Sequence, residues 1–169
     1  MPDEEFTLHP AAGRAPPMRL PVFALSLVFL LAGCAPTSHL LPLDDGIAHL
    51  APCPTAPHCV TSRPDSRDRD RIEPLAVGTD AATARARLLA VLAADPAFEV
   101  LSELPTENGT YVHAEYTTGL MRYQDDVEFL IRDDGRIDVR SSSRIGWYDW
   151  GANRNRIESL RRALAADGA

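Results

Sequence analysis

Twelve of the chain's 14 prolines fall within its first 74 residues, and only Pro96 and Pro105 lie beyond. Proline fixes φ and lacks an N–H donor, so neither a long helix nor a central strand can run through that first stretch. The aromatic residues shift the other way: Phe98, Tyr111, Tyr116, Tyr123, Phe129, Trp147, Tyr148 and Trp150 all follow residue 97. Large apolar side chains dominate cores, which places the core in the C-terminal part and leaves the proline-rich part as tether and irregular segment. No internal repeat is present.

A run of 12 apolar residues, LPVFALSLVFLL at 20–31, follows Arg19 and precedes Ala32-Gly33-Cys34. It is too short for a hydrocarbon core of about 30 Å, which takes about 20 helical residues, and it has the form of a secretory signal. Leu31-Ala32-Gly33-Cys34 resembles the lipobox of bacterial lipoproteins, where small residues admit the signal peptidase and the thiol receives a diacylglyceryl group. Residues 1–33 are read as a removable signal, with Met18 as an alternative start because Asp3, Glu4 and Glu5 occupy the place of a basic region. Cys34 is then the lipidated first residue. Ala35, rather than Asp, after the cysteine points by resemblance to the outer membrane, facing the periplasm. Residues 34–50 are read as tether and 51–166 as a single domain. Removing 33 of the 169 residues leaves 136, the size of one ordinary domain.

An apolar content of 45% with 24% charged residues excludes whole-chain disorder, collagen and coiled coil. The net charge of −7 argues against nucleic acid as partner, because a phosphate backbone demands a basic face. All 17 basic residues are arginine.

Thr79 or Asp80 can cap a helix to about Ala94, with Ala84, Leu88, Val91 and Leu92 on one face and Asp95-Pro96 as the stop. Phe98, Val100, Ser102 and Leu104 alternate as a strand, and Glu107-Asn108-Gly109 turns into a second strand carrying Val112, Ala114 and Tyr116. Val127, Phe129 and Ile131 mark a third strand, Ile137 and Val139 a fourth, and Ile157, Leu160 and Leu164 a helical stripe near 152–166. The expected fold is α+β: a four-stranded antiparallel meander flanked by an N-terminal and a C-terminal helix, in the order α-β-β-β-β-α. A three-residue Asp133-Asp134-Gly135 loop sets Ile131 opposite Ile137, Phe129 opposite Val139 and, on the other face, Glu128 opposite Arg140 and Asp126 opposite Ser142.

Cys53 and Cys59 stand six positions apart between prolines in a chain expected to be exported, which favours a local disulfide worth about 2 kcal/mol on the loop-entropy model. Zinc through the neighbouring His58 is the alternative, although no CxxC or HxxxH accompanies it. Asp125, Asp126 and Glu128 supply three carboxylates, of which Asp126 and Glu128 share a face; ion pairing to Arg140 is favoured over a metal or an acid–base pair. Residues 140–162 hold six arginines against two acids, and residues 95–138 hold 11 acids against three arginines, so the segments neutralise each other, or Arg140, Arg144 and Arg154 form an anion pocket. Ser141, Ser142 and Ser143 lack a GxSxG elbow, and His113 reads as a strand-surface residue. The charge run at 65–71 reads as a solvated loop.

The stretch at 53–60 (CPTAPHCV), RIEPL at 71–75, DDVEF at 125–129 and above all RSSSRIGWYDWGANRNRI at 140–157 resemble the domain of unknown function family 1499. The family's approximate pattern is CPxxPNCVSS, IxPL, DDVEF and RSxSRxGxxDxGxNRxRI. His58 stands for its usual Asn and Thr61-Ser62 for its Ser pair. The resemblance spans about residues 51–165 and implies the domain without an activity.

Two function classes remain: an envelope-anchored lipoprotein acting as a non-catalytic binding or structural module for an envelope protein or small anion, and a hydrolase-like or other enzyme using Asp125, Asp126 or Glu128 with Arg140 and Arg144. Missing nucleophile, metal cluster and phosphate loop favour the first, with no cofactor. Within the motif, Asp149 is expected to accept N–H bonds at the start of the last helix. Trp147, Tyr148 and Trp150 are expected to dock on the sheet or helix, and Arg144 and Arg154 to pair with the carboxylates. Ser141, Ser143 and Asn153 complete the candidate cluster.

Overall fold

The structure, a computed structural model, describes residues 43–44, 46–78 and 80–166. The signal, Cys34 and Thr79 lie outside the described residues. Among those described, no helix is long and apolar enough to cross a membrane.

The elements in chain order are β1 (Leu43–Asp44), β2 (Ile47–Ala48), β3 (Cys59–Thr61), β4 (Leu75–Ala76), α1 (Ala81–Ala94), β5 (Phe98–Thr106), β6 (Gly109–Thr117), β7 (Gln124–Ile131), β8 (Arg136–Ser143) and α2 (Ala152–Ala166). The fold is α+β, with two helices and an antiparallel sheet of six strands in the order β3-β8-β7-β6-β5, β4 also pairing with β8. The expected four strands are therefore two too few, and a helix is not the first element. β3 and β4 lie end to end along β8, placing Val60 opposite Ser141 and Leu75 opposite Ile137, so the last strand of the meander is not a bare edge. Strands of three and two residues carry no alternation long enough to read.

Register follows the loop chemistry. Gly135 has φ +80°, and a Cβ there would stand 2.6 Å from the Gly78 carbonyl oxygen, so the loop takes glycine for both its conformation and its packing. Ile131 lies opposite Ile137, Phe129 opposite Val139, Glu128 opposite Arg140 and Asp126 opposite Ser142. On β5 a bulge between Val100 and Ser102 breaks the alternation, and Val100 and Leu104 of the expected set are exposed on this edge strand, as is Leu101.

The side chain of Asp80 caps α1 by accepting from Thr83 N, and the buried stripe is Ala84, Leu88 and Leu92. This stripe and that of α2 (Ile157, Leu160, Leu164) join one core with Val112, Ala114, Val127, Phe129, Ile131, Ile137 and Val139, so both helices cover the same sheet face. The opposite face carries a smaller cluster of Ala48, Leu50, Tyr111 and Leu130. The segment read as tether thus includes packed residues: Asn108 Nδ2 donates to Ala48 O and Asn108 Oδ1 accepts from Ala48 N, both at 2.9 Å, and Ala48 and Leu50 are buried.

Cys53 and Cys59 are joined by a disulfide. The charge run beside it is mostly exposed, as expected of a solvated loop, except at Asp70. Asp70 is buried and paired with Arg67, and the Arg67 and Arg69 guanidiniums donate to the carbonyls of Pro54 and Thr55 inside the disulfide loop.

Candidate functional site

Strand alternation divides the three carboxylates between the two faces of β7. Asp125 shares the helix-covered face with Val127 and Phe129, while Asp126 and Glu128 point to the other. They do not form one constellation.

On the helix-covered face Arg156 of α2 donates to Asp125 Oδ2 at 2.5 Å, to Ser141 Oγ at 2.8 Å and to Asn153 Oδ1 at 2.6 Å, and its guanidinium lies 4.1 Å from the centre of the Tyr116 ring. Asn153 is wholly buried. Its Nδ2 donates to the His58 carbonyl, Ser143 Oγ and Asp149 Oδ2 at 2.8–2.9 Å, and its Oδ1 accepts from Ser141 Oγ at 2.6 Å. One amide therefore ties the disulfide loop, β8, the following loop and α2 together. Asp149 also accepts from the backbone N–H groups of Gly151 and Asn153, holding the entry to α2.

On the opposite face Arg140 donates to Glu128 Oε2 at 2.5 Å and Tyr111 Oη to Glu128 Oε1 at 2.9 Å, all three side chains being buried. Burial, then the adjacent Glu128 charge, pushes the Tyr111 phenol far above its ordinary value. Asp126 accepts from Arg144 Nη2 at 2.7 Å and from His113 Nε2 at 2.9 Å, and Arg144 Nη1 donates to Glu115 at 2.7 Å. His113 is therefore a mostly buried partner of Asp126, not a free surface residue.

Burial pushes the Asp126 carboxyl up, but the hydrogen bonds from His113 and Arg144, with the Arg144 charge, outweigh it and hold the group well below the usual carboxylate range. Bonding to Asp126, against partial burial, raises Arg144 in turn. A carboxylate whose folded pKa is depressed contributes stability that is fully present above its unfolded pKa and lost as pH falls through the folded one. Asp126→Asn should accordingly cost stability at pH 7, and the deficit should shrink below about pH 4, the unfolded carboxylate value. Urea midpoints at pH 7 and pH 3 check this; an equal deficit at both would contradict it.

Arg154 departs from the expected pairing and donates to the carbonyls of Arg69 and Arg71 at 3.0 and 2.8 Å. Arg140, Arg144 and Arg154 consequently do not build a common anion pocket. Arg140 donates to Glu128 while its Nε is buried without a partner, Arg144 donates to Asp126 and Glu115, and Arg154 donates to main-chain carbonyls of another loop. Among the described residues no group of three or more His, Cys, Asp or Glu is placed to hold a metal.

The aromatic residues of the motif also depart from expectation. Trp147, Tyr148 and Trp150 are 70%, 54% and 87% exposed. The neighbouring β6–β7 loop exposes Leu120 at 95% and Met121 at 61%. Both loops leave the same end of the sheet, where Arg144 N donates to Gln124 O. Tyr148 and Trp150 pack edge to face at 5.1 Å, and Trp150 has φ +55°. A bulky side chain in the left-handed region costs about 1–2 kcal/mol. Trp150→Asn should therefore raise the melting temperature by a few degrees, because asparagine tolerates that region. A lower melting temperature would show that the exposed ring stabilises the loop.

Arg156 stands in the sequence only as one of the six arginines of residues 140–162, with no role of its own. The signal was its place on the inward stripe of α2 with Asn153, Ile157, Leu160 and Leu164.

A family model described as a protein of unknown function (DUF1499) matches residues 49–164. No curated protein and no solved structure matches this chain significantly.

Proposed function

The chain belongs to the DUF1499 family, and from that premise we propose that it is the folded binding domain of a lipid-anchored protein of the bacterial envelope, without catalytic activity. The proposed location is the outer membrane, facing the periplasm, and the proposed anchor is the lipid on Cys34. The observation that carries the binding role is the exposure of Trp147, Tyr148 and Trp150 in the β8–α2 loop, with Leu120 and Met121 exposed in the β6–β7 loop at the same end of the sheet. Large apolar side chains left exposed together mark interaction surfaces, and Trp and Tyr are the residues that most often anchor protein interfaces. The occupied pairs Asp125–Arg156, Glu128–Arg140 and Asp126–Arg144 support a non-catalytic reading, since each carboxylate is already committed to an arginine.

The partner we propose is an envelope protein and not the bilayer that holds Cys34. The described chain begins beside the β5–β6 turn, where Glu107 N donates to Gly46 O, whereas the aromatic loops leave the far ends of β6 and β8. A nine-residue strand such as β6 separates those ends by about 30 Å. The aromatic loops thus lie about 30 Å along the sheet from the place where the described chain begins, which supports a protein partner over the bilayer.

The test places a photo-crosslinking amino acid at position 150 in the intact envelope and, as a control, at exposed position 104 on the β5 edge. A discrete protein adduct from 150, absent from 104 and lost in Cys34→Ser, is expected. Adducts to lipid or to a second copy of the chain from position 150 would overturn the choice of partner. With the crosslinker kept at position 150, Trp147→Ser with Tyr148→Ser should abolish the adduct while moving stability by no more than about 0.5 kcal/mol per site, as exposed substitutions do.

A further inference from the structure

We propose that the cleft between α1 and α2 binds an uncharged, mostly apolar small molecule carrying a hydroxyl or carbonyl oxygen at one end. The cleft has a volume of about 630 Å³, within the range of small-molecule sites. Its apolar wall comes from Val91 of α1, Phe98 of β5 and Leu160 of α2, and Tyr116, Asn155 and Arg156 also face it. Polar capacity is left over there. The Arg156 Nε is buried without an acceptor, and half-buried Tyr116 and exposed Asn155 bring a hydroxyl and an amide to the lining.

Charge decides the class of ligand. Arg156 is the one cation on the lining, and Asp125 neutralises it at 2.5 Å while Ser141 and Asn153 take its other terminal donors. Asp95 at the rim adds a negative charge. An anion entering the cleft would find no uncompensated positive charge to offset its desolvation, and a cation would have to strip water for one rim carboxylate. A neutral molecule meets neither penalty. Its apolar body can lie against Val91, Phe98 and Leu160, and its oxygen can accept from Tyr116 Oη or Asn155 Nδ2. The aromatic loops take no part, so this site stands or falls separately from the protein-binding surface.

The experiment titrates the whole mature domain with N-phenyl-1-naphthylamine, a neutral fluorescent probe, and displaces it with 1-decanol or with decanoate at pH 8. Decanol should displace the probe about tenfold more effectively than decanoate, a difference of about 1.4 kcal/mol. Ala163→Trp, which places a large ring over the cleft from an exposed position of α2, should weaken probe binding about tenfold or more with an unchanged melting temperature. Tyr116→Phe should weaken decanol several-fold and leave the probe, which lacks an oxygen, unaffected. Trp147→Ser with Trp150→Ser should leave both unchanged. Decanoate binding as tightly as decanol, no probe binding at all, or binding insensitive to Ala163→Trp would each overturn the assignment.

Discussion

Asn153→Ala should lower the stability of the domain by about 3–5 kcal/mol, because it strips partners from several buried polar groups at once. The Arg156 Nη1 and Ser141 hydroxyl would lose the Oδ1 acceptor, and the His58 carbonyl, Ser143 hydroxyl and Asp149 carboxylate would lose the Nδ2 donor. None is replaced, since the amide is wholly buried and alanine leaves a void there. A fall of about 15 °C in melting temperature is the expected reading for a domain of this size. Asn153→Asp should be no milder, because it sets a second acceptor against the His58 carbonyl and the Asp149 carboxylate. A change of less than about 1 kcal/mol in Asn153→Ala would show that water or neighbouring groups take over the bonds.

The second large effect concerns the opposite face. Glu128→Ala should cost about 3–5 kcal/mol, the usual result of removing one partner from a buried ion pair, since Arg140 would keep its charge with nothing to neutralise it. Tyr111 would lose its acceptor as well. The combination Glu128→Leu, Arg140→Met and Tyr111→Phe should recover most of that loss, because apolar residues of similar volume bury without a desolvation penalty. Urea unfolding of the single and triple variants separates the readings. Recovery of stability together with retained crosslinking at position 150 marks the pair as scaffold, whereas recovered stability with lost crosslinking marks it as part of the working surface.

The sequence carried the meander and its register through alternation in β6, β7 and β8 and through the Asp133-Asp134-Gly135 loop, where the two-residue alternative would have turned Ile131 to the wrong side. It carried the pairing of Glu128 with Arg140 for the same reason. β3 and β4 escaped because their few residues depend on β8 for their extended form. The Trp147, Tyr148 and Trp150 cluster escaped because area and hydrophobicity describe how much a side chain could bury, not which way the backbone turns it. Trp150 and Gly151 both have positive φ, and that turn follows from the Asp149 cap and the start of α2 rather than from any periodicity. Arg154 was placed with carboxylates on charge alone, yet main-chain carbonyls of the loop at 69–71 hold it.

The arginines and carboxylates of residues 125–156 bond within the domain as a scaffold, and the proposed function leaves recognition to the aromatic loops. Arg144 tests it most directly, being partly exposed and so the member most open to another use. The measurement is a double-mutant cycle by urea unfolding on Arg144→Ala and Asp126→Ala. Each single variant should lose stability and the double variant should lose less than their sum, by about 1–2 kcal/mol of coupling. An Arg144→Ala protein with unchanged stability and no coupling to Asp126, but with lost partner binding, would contradict it.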